Sequence, residues 1–184
     1  MSLTAQFLFS CLASLTSLVT SEPVVQQQPT ALPEHQVLAE DVGTWDAEMT
    51  LWIPGLPEPV TSKGVEVNEL LDGGMWVLSK FESELFGQKF VGRGQFGYDP
   101  ISKKYVGTWI DTMSPHLSTM QGSYDAATKT LTMEVRSIGP DGKPMISKSV
   151  AKTLSADKRT YETFEKRDGD EWVKTMSVVY TRRP

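Results

Sequence analysis

Gly43-Thr44-Trp45-Asp46-Ala47-Glu48-Met49-Thr50-Leu51-Trp52-Ile53 places an apolar residue at every second position: Trp45, Ala47, Met49, Leu51 and Ile53 alternate with Asp46, Glu48 and Thr50. This is the period of a strand with one face buried. Pro54-Gly55-Leu56-Pro57 ends the run. Similar segments follow near 60–71, 75–86, 89–98, 104–112, 117–124, 129–137, 145–154, 159–166 and 171–182. Between them stand Asp72-Gly73-Gly74, Phe86-Gly87-Gln88, Asp99-Pro100, Asp125-Ala126-Ala127, Pro140-Asp141-Gly142 and Asp168-Gly169. Residues of these types tolerate positive φ or preset a turn, as hairpins require. With no helix between the segments, a parallel sheet is excluded, because parallel neighbours need crossovers. The expected fold is all-β, an antiparallel up-and-down barrel of about ten strands with a short N-terminal helix, since closure alone removes the sheet edges. A sandwich is the alternative, and the uniformly tight turns favour the barrel. A barrel of this size has room for one small ligand if its lining does not fill it.

Upstream of the strands, Pro33 opens a helical stretch from Glu34 to Asp41, with Val37, Leu38 and Val42 as a narrow apolar stripe and Gly43 as its stop. So short a helix must dock on something to persist. His35, near its start, is expected to face water. Residues 33–184 form the expected barrel domain, 22–32 a Pro- and Gln-containing flexible linker, and 1–21 a signal peptide. The run from Phe7 to Val19 is too short for a comfortable bilayer span but fits a signal-peptide core, with small residues ahead of Glu22 for cleavage. Export to a periplasm or the exterior is expected if the leader is removed, and a cytoplasmic location otherwise. No membrane span is expected in the mature chain. Cys11 lies within an apolar run that continues beyond it, which argues against a lipidation site.

The net charge of −5, without a basic cluster, argues against nucleic-acid binding. A single Cys excludes an internal disulfide and a Cys-rich zinc module, and two His leave any metal site dependent on carboxylates.

Particular residues also carry a family resemblance. Gly43-Thr44-Trp45, after a short helix and opening the first strand, resembles the start of lipocalins and fatty-acid-binding proteins. That resemblance implies that Trp45 plugs one barrel end beneath a basic residue of the last strand, with Arg182 or Arg183 as the counterpart. A wider set comprises Pro33-Glu34-His35, Gly43-x-Trp45, Gly74-x-Trp76-Val77, Gly97-Tyr98-Asp99-Pro100, Tyr105-Val106-Gly107-Thr108-Trp109, Met113-Ser114-Pro115-His116-Leu117, Gly122-Ser123 and Tyr180-Thr181-Arg182-Arg183. Its order and spacing resemble the bacterial domain-of-unknown-function family 1579 over about residues 33–184. The resemblance implies a lipocalin-like barrel and no particular activity.

Gly92-Arg93-Gly94-Gln95-Phe96-Gly97 satisfies the dinucleotide pattern G-x-G-x-x-G, but no helix follows to meet a pyrophosphate. Glycines alternating with aromatic residues on one strand face instead predict relief of crowding where a sheet bends. Asp111 to His116 read as an irregular link at a barrel mouth. There His116 is a candidate for contacting a ligand carboxyl or ligating haem iron, beside a plain loop-capping role. Asp111, Ser114 and His116 supply the residue types of a triad without a nucleophile elbow, and no catalytic residue is assigned. Trp45, Trp76, Trp109, Met49, Met113, Met120, Met133 and Met176, with His116, are the candidate ligand-contacting set, because indoles and thioethers suit a lipid-like guest. The expected function is non-enzymatic binding of a small apolar or amphipathic molecule, with no cofactor or metal. A haem or metal barrel using His116, or a filled barrel serving protein interaction, are the alternatives.

Overall fold

A computed structural model describes residues 29–166 and 171–184; the expected leader, most of the linker and the Asp168-Gly169 turn lie outside these residues. The helix α1 spans Pro33–Ala39. Ten strands follow: β1 Gly43–Leu51, β2 Val60–Leu70, β3 Trp76–Leu85, β4 Gln88–Asp99, β5 Lys104–Asp111, β6 Ser114–Asp125, β7 Thr130–Ile138, β8 Pro144–Ser155, β9 Lys158–Lys166 and β10 Trp172–Arg182. Each pairs antiparallel with its sequence neighbours, and β1 pairs with β10 from Trp45 opposite Arg182 to Leu51 opposite Met176. The barrel is closed.

Local chemistry accounts for the tight connections. Phe86 and Gly87, the two residues between β3 and β4, both take positive φ (53° and 70°), the turn whose twist matches that of paired strands. On β4 the glycines make room for aromatic rings: a Cβ at Gly92 would sit 2.0 Å from the Trp109 ring, and one at Gly94 2.7 Å from that of Phe96. The G-x-G-x-x-G stretch is therefore a packing device on a curved strand.

Two expectations need correction. Asp111 to His116 do not form an irregular link. Thr112 and Met113 turn tightly between β5 and β6, and Ser114–His116 already belong to β6. The cause is local: Asp111 Oδ1 accepts the backbone N–H of Met113 at 2.8 Å and of Ser114 at 3.0 Å, an Asx-type turn that the sequence type permits. His35 does not face water, being only 4% exposed. Its Nδ1 accepts the N–H of Leu32 at 2.8 Å, which leaves Nε2 to donate to the Tyr98 carbonyl at 3.2 Å. His35 thus caps the helix start and fastens α1 to β4.

The core lies in two clusters. Trp45, Ala47, Met49, Phe81, Leu85, Val178 and Tyr180 form one; Leu38 of α1 joins Val77, Tyr105 and Met133 in the other. Leu38 docks the helix across one end of the barrel, and the Tyr105 hydroxyl donates to the Glu34 carbonyl at 3.1 Å. This contact supplies the tertiary support that a helix of 7 residues requires.

Candidate functional site

Side chains on alternate strand positions turn inward and leave a cavity of about 420 Å³. Met49, Phe81, Phe90, Phe96 and Trp109 supply apolar wall from β1, β3, β4 and β5. Met120, Met133, Val135, Met176 and Val178 continue it through β6, β7 and β10. Ser137, Ser147, Ser149, Tyr161 and Thr163 make the wall more polar on β7 to β9. The volume is within the usual range for small-molecule sites.

The end beneath α1 holds a buried polar cluster. Arg159 of β9 donates from Nη2 to Glu66 Oε1 at 2.5 Å and from Nη1 to Asp41 Oδ2 at 3.4 Å. Its guanidinium lies 4.2 Å from the Tyr180 ring centre and 4.6 Å from that of Trp45. Asn68 donates from Nδ2 to the same Glu66 oxygen at 2.8 Å and to the Asp41 carbonyl at 3.1 Å. The Trp45 indole N–H also reaches that carbonyl, at 2.9 Å. Burial raises the Asp41 carboxyl above its ordinary pKa, against the opposing charge of Arg159. Burial, with the Glu66 charge second, pushes the Tyr180 hydroxyl well above 10.

Beneath this cluster Arg182 covers Trp45, its guanidinium 4.1 Å from the indole ring centre. It donates to the carbonyls of Val42 at 2.5 Å and Glu40 at 2.7 Å, tying the end of β10 to the chain just after α1. Arg182 is thus the basic counterpart expected from the lipocalin-like start. Arg183 instead bonds Asp46 on the exposed side, at 2.6 Å.

At the opposite end the wall finishes with Asp111 and Glu165, and no helix among the described residues crosses it. Asp111 also accepts the Trp109 indole N–H at 3.2 Å, steadying the ring over the glycines of β4.

Of the nine candidate contact residues, Met49, Trp109, Met120, Met133 and Met176 meet in the cavity wall. Trp45, 2% exposed, lies under the polar cluster and is not part of the wall. Trp76 is on the outer face, 37% exposed, covering the backbone of Gly97. Met113 is 51% exposed in the β5–β6 turn, and His116 is exposed on β6. Among the described residues the wall contains neither His nor Cys, and these residues include no group of three or more potential metal ligands. Asp111, Ser114 and His116 are joined by turn-forming bonds, with the Ser114 hydroxyl accepting the His116 backbone N–H at 3.2 Å. Sequence reasoning missed Arg159, Glu66, Asn68, Asp41 and Tyr180.

The model of a family described as protein of unknown function (DUF1579) matches residues 30–182. No curated protein matches the chain. The crystal structure of Rv2717c from M. tuberculosis is similar in fold, with a TM-score of 0.64 and 13% identity over 83% of this chain and 99% of that one. A redesigned β-barrel aligns with 85% of this chain and 100% of its own at 15% identity, with a TM-score of 0.42, too distant to inform the reading.

Proposed function

Since this chain belongs to DUF1579, a family described only as of unknown function, its role has to be argued from the barrel, and we propose non-enzymatic binding of a small apolar or amphipathic molecule inside it. The supporting observation is the cavity of about 420 Å³, walled by Met49, Phe81, Trp109, Met120, Met133 and Met176. Thioethers and flat rings accommodate irregular apolar shapes with little loss of contact. The guest enters from the end that bears Asp111 and Glu165, because α1 and its arginine ties cover the other.

Native mass spectrometry, with solvent extraction of protein purified from its own host, tests this reading. The expected result is a retained molecule that extraction releases, leaving a barrel that takes up an apolar dye. Failure to take up any apolar molecule would overturn it. The apolar run from Phe7 to Val19 supports export of the carrier, and the same intact mass registers loss of the leader.

A further inference from the structure

We propose that three neighbouring hairpin tips at the open end dock the barrel, mouth first, on the surface of a neutral lipid bilayer, where an apolar guest is loaded or released. The proposal goes beyond the container reading and takes from it only the passage of a guest through the mouth. The tips are the connections β1–β2, β3–β4 and β5–β6, which follow one another around the rim. They present Trp52 and Leu56, Phe86, and Met113 to solvent, with Leu56 49% and Phe86 57% exposed. From Trp52 to Pro57, at Phe86-Gly87 and at Thr112-Met113 there is no charged side chain. Asp111, at the base of the third tip, is engaged by the N–H groups of Met113 and Ser114. Exposed Ile110 and Leu117 continue the apolar surface onto the outer face of β5 and β6.

Phe86 carries the argument from exposure to function. It is the first of the two turn residues, at φ 53°, a left-handed conformation that Asn, Asp and Gly adopt readily and a bulky side chain does not. More than half of the residue is exposed, so internal packing does little to offset that strain. A strained aromatic residue at a solvent-facing tip points to a contact made outside the molecule.

Charge selects the partner. The chain carries a net −5 and its tips hold no cluster of Lys or Arg, so an anionic surface would not attract it. A neutral bilayer requires only apolar area, and an indole suits the boundary between headgroups and acyl chains. The α1 end lacks this pattern, although Ile101 is 93% exposed there. Its turns set Asp72, Lys103, Lys129 and Asp157 among their apolar residues, and insertion would strip these charges of water. On the rim itself the β7–β8 connection bears the Asp141–Lys143 ion pair, 3.6 Å apart, so the docked barrel tilts with that side in water.

The test is co-sedimentation of the full chain with phosphatidylcholine vesicles. Binding is expected, insensitive to salt and no stronger when about a third of the lipid is replaced by phosphatidylserine. Phe86→Asn separates docking from folding, because Asn suits the turn. This variant is expected to melt no lower than its parent yet to bind the vesicles about tenfold more weakly. Ile101→Asn, at the far end, is expected to bind as the parent does. Absence of binding, binding that needs phosphatidylserine, or equal weakening by Ile101→Asn overturns the proposal. So does undiminished binding by Phe86→Asn, the result that an apolar leader acting alone would give. A dimer in sedimentation velocity that Phe86→Asn abolishes assigns the tips to a second copy and overturns it as well. Should Phe86→Asn not fold, Leu56→Asn takes its place. Uptake of the uncharged dye Nile red without vesicles tests the container by itself. Dye uptake without vesicle binding removes only the docking, and vesicle binding without dye uptake removes only the container.

Discussion

The two ends of this barrel are built on different principles. At the α1 end, side chains reach partners distant in sequence: Arg159 the carboxylates of Glu66 and Asp41, Arg182 the backbone carbonyls of Val42 and Glu40, and Tyr105 that of Glu34. At the other end, the side-chain hydrogen bonds join residues of one turn or of neighbouring hairpin strands, as where Asp111 accepts from Trp109, Met113 and Ser114 and Ser62 donates to the Glu84 carbonyl. A long-range buried network resists local opening, because no member can leave without stranding a partner. Bonds confined to one turn or to neighbouring strands allow opening at a rim without disturbing the rest. The contrast assigns stability to the floor and, under the proposed binding role, exchange of a guest to the rim.

The sharpest way to break that assignment is to remove the floor's central cation. Arg159→Leu leaves Glu66 buried and unmatched, and chemical denaturation is expected to register a loss of about 3–5 kcal/mol, or failure to fold. A loss under about 1 kcal/mol would mean that the network is not what secures this end. Arg182→Ala deletes the two carbonyl bonds behind α1 and the cover of Trp45, with an expected cost of about 2 kcal/mol and faster amide exchange in α1. Equal exchange in variant and parent would detach α1 from Arg182.

Alkaline titration separates the ends without removing an ion pair. Burial, helped by the charge of Glu34, pushes Tyr105 from 10.0 up to about 12. The unfolded chain then loses this proton first, so the contribution is complete below pH 10 and declines as pH rises towards about 12. Thermal melts across that window are expected to fall, and less steeply in Tyr105→Phe; identical slopes would contradict the assignment. The smallest effect is expected at the rim, where Glu165→Gln changes stability by less than about 0.5 kcal/mol in the same denaturation experiment. A larger loss there would make the rim structural after all.

Much of the wall is legible in the sequence because its residues follow strand period. The nine segments after β1 lie close to the strands found, and Met49, Trp109, Met120, Met133 and Met176 face the cavity as their alternation suggests. The floor was illegible for a definite reason. In Gly64-Val65-Glu66-Val67-Asn68, period two reads the valines as inward and Glu66 and Asn68 as outward. Pairing reverses this, since Glu66 stands opposite Trp45 and shares its inward face. Trp76 and Val77 show the same ambiguity: two apolar neighbours cannot both face in, and the smaller one does. In sequence Arg159 is one charge among several after a turn, and only its partners from β2 and the segment after α1 give it a role. His35 escaped for a similar cause, its reason for burial being a carbonyl on β4.

The seam between β1 and β10 has a kinetic consequence. Trp45 lies opposite Arg182, so the last ladder joins segments from nearly opposite ends of the domain. Such pairings must wait for almost the whole chain, which slows folding relative to local hairpins. During synthesis β1 emerges early and remains without its second neighbour until β10 leaves the ribosome. Until then the edge of β1, which carries Met49 and Leu51, is open to non-native pairing.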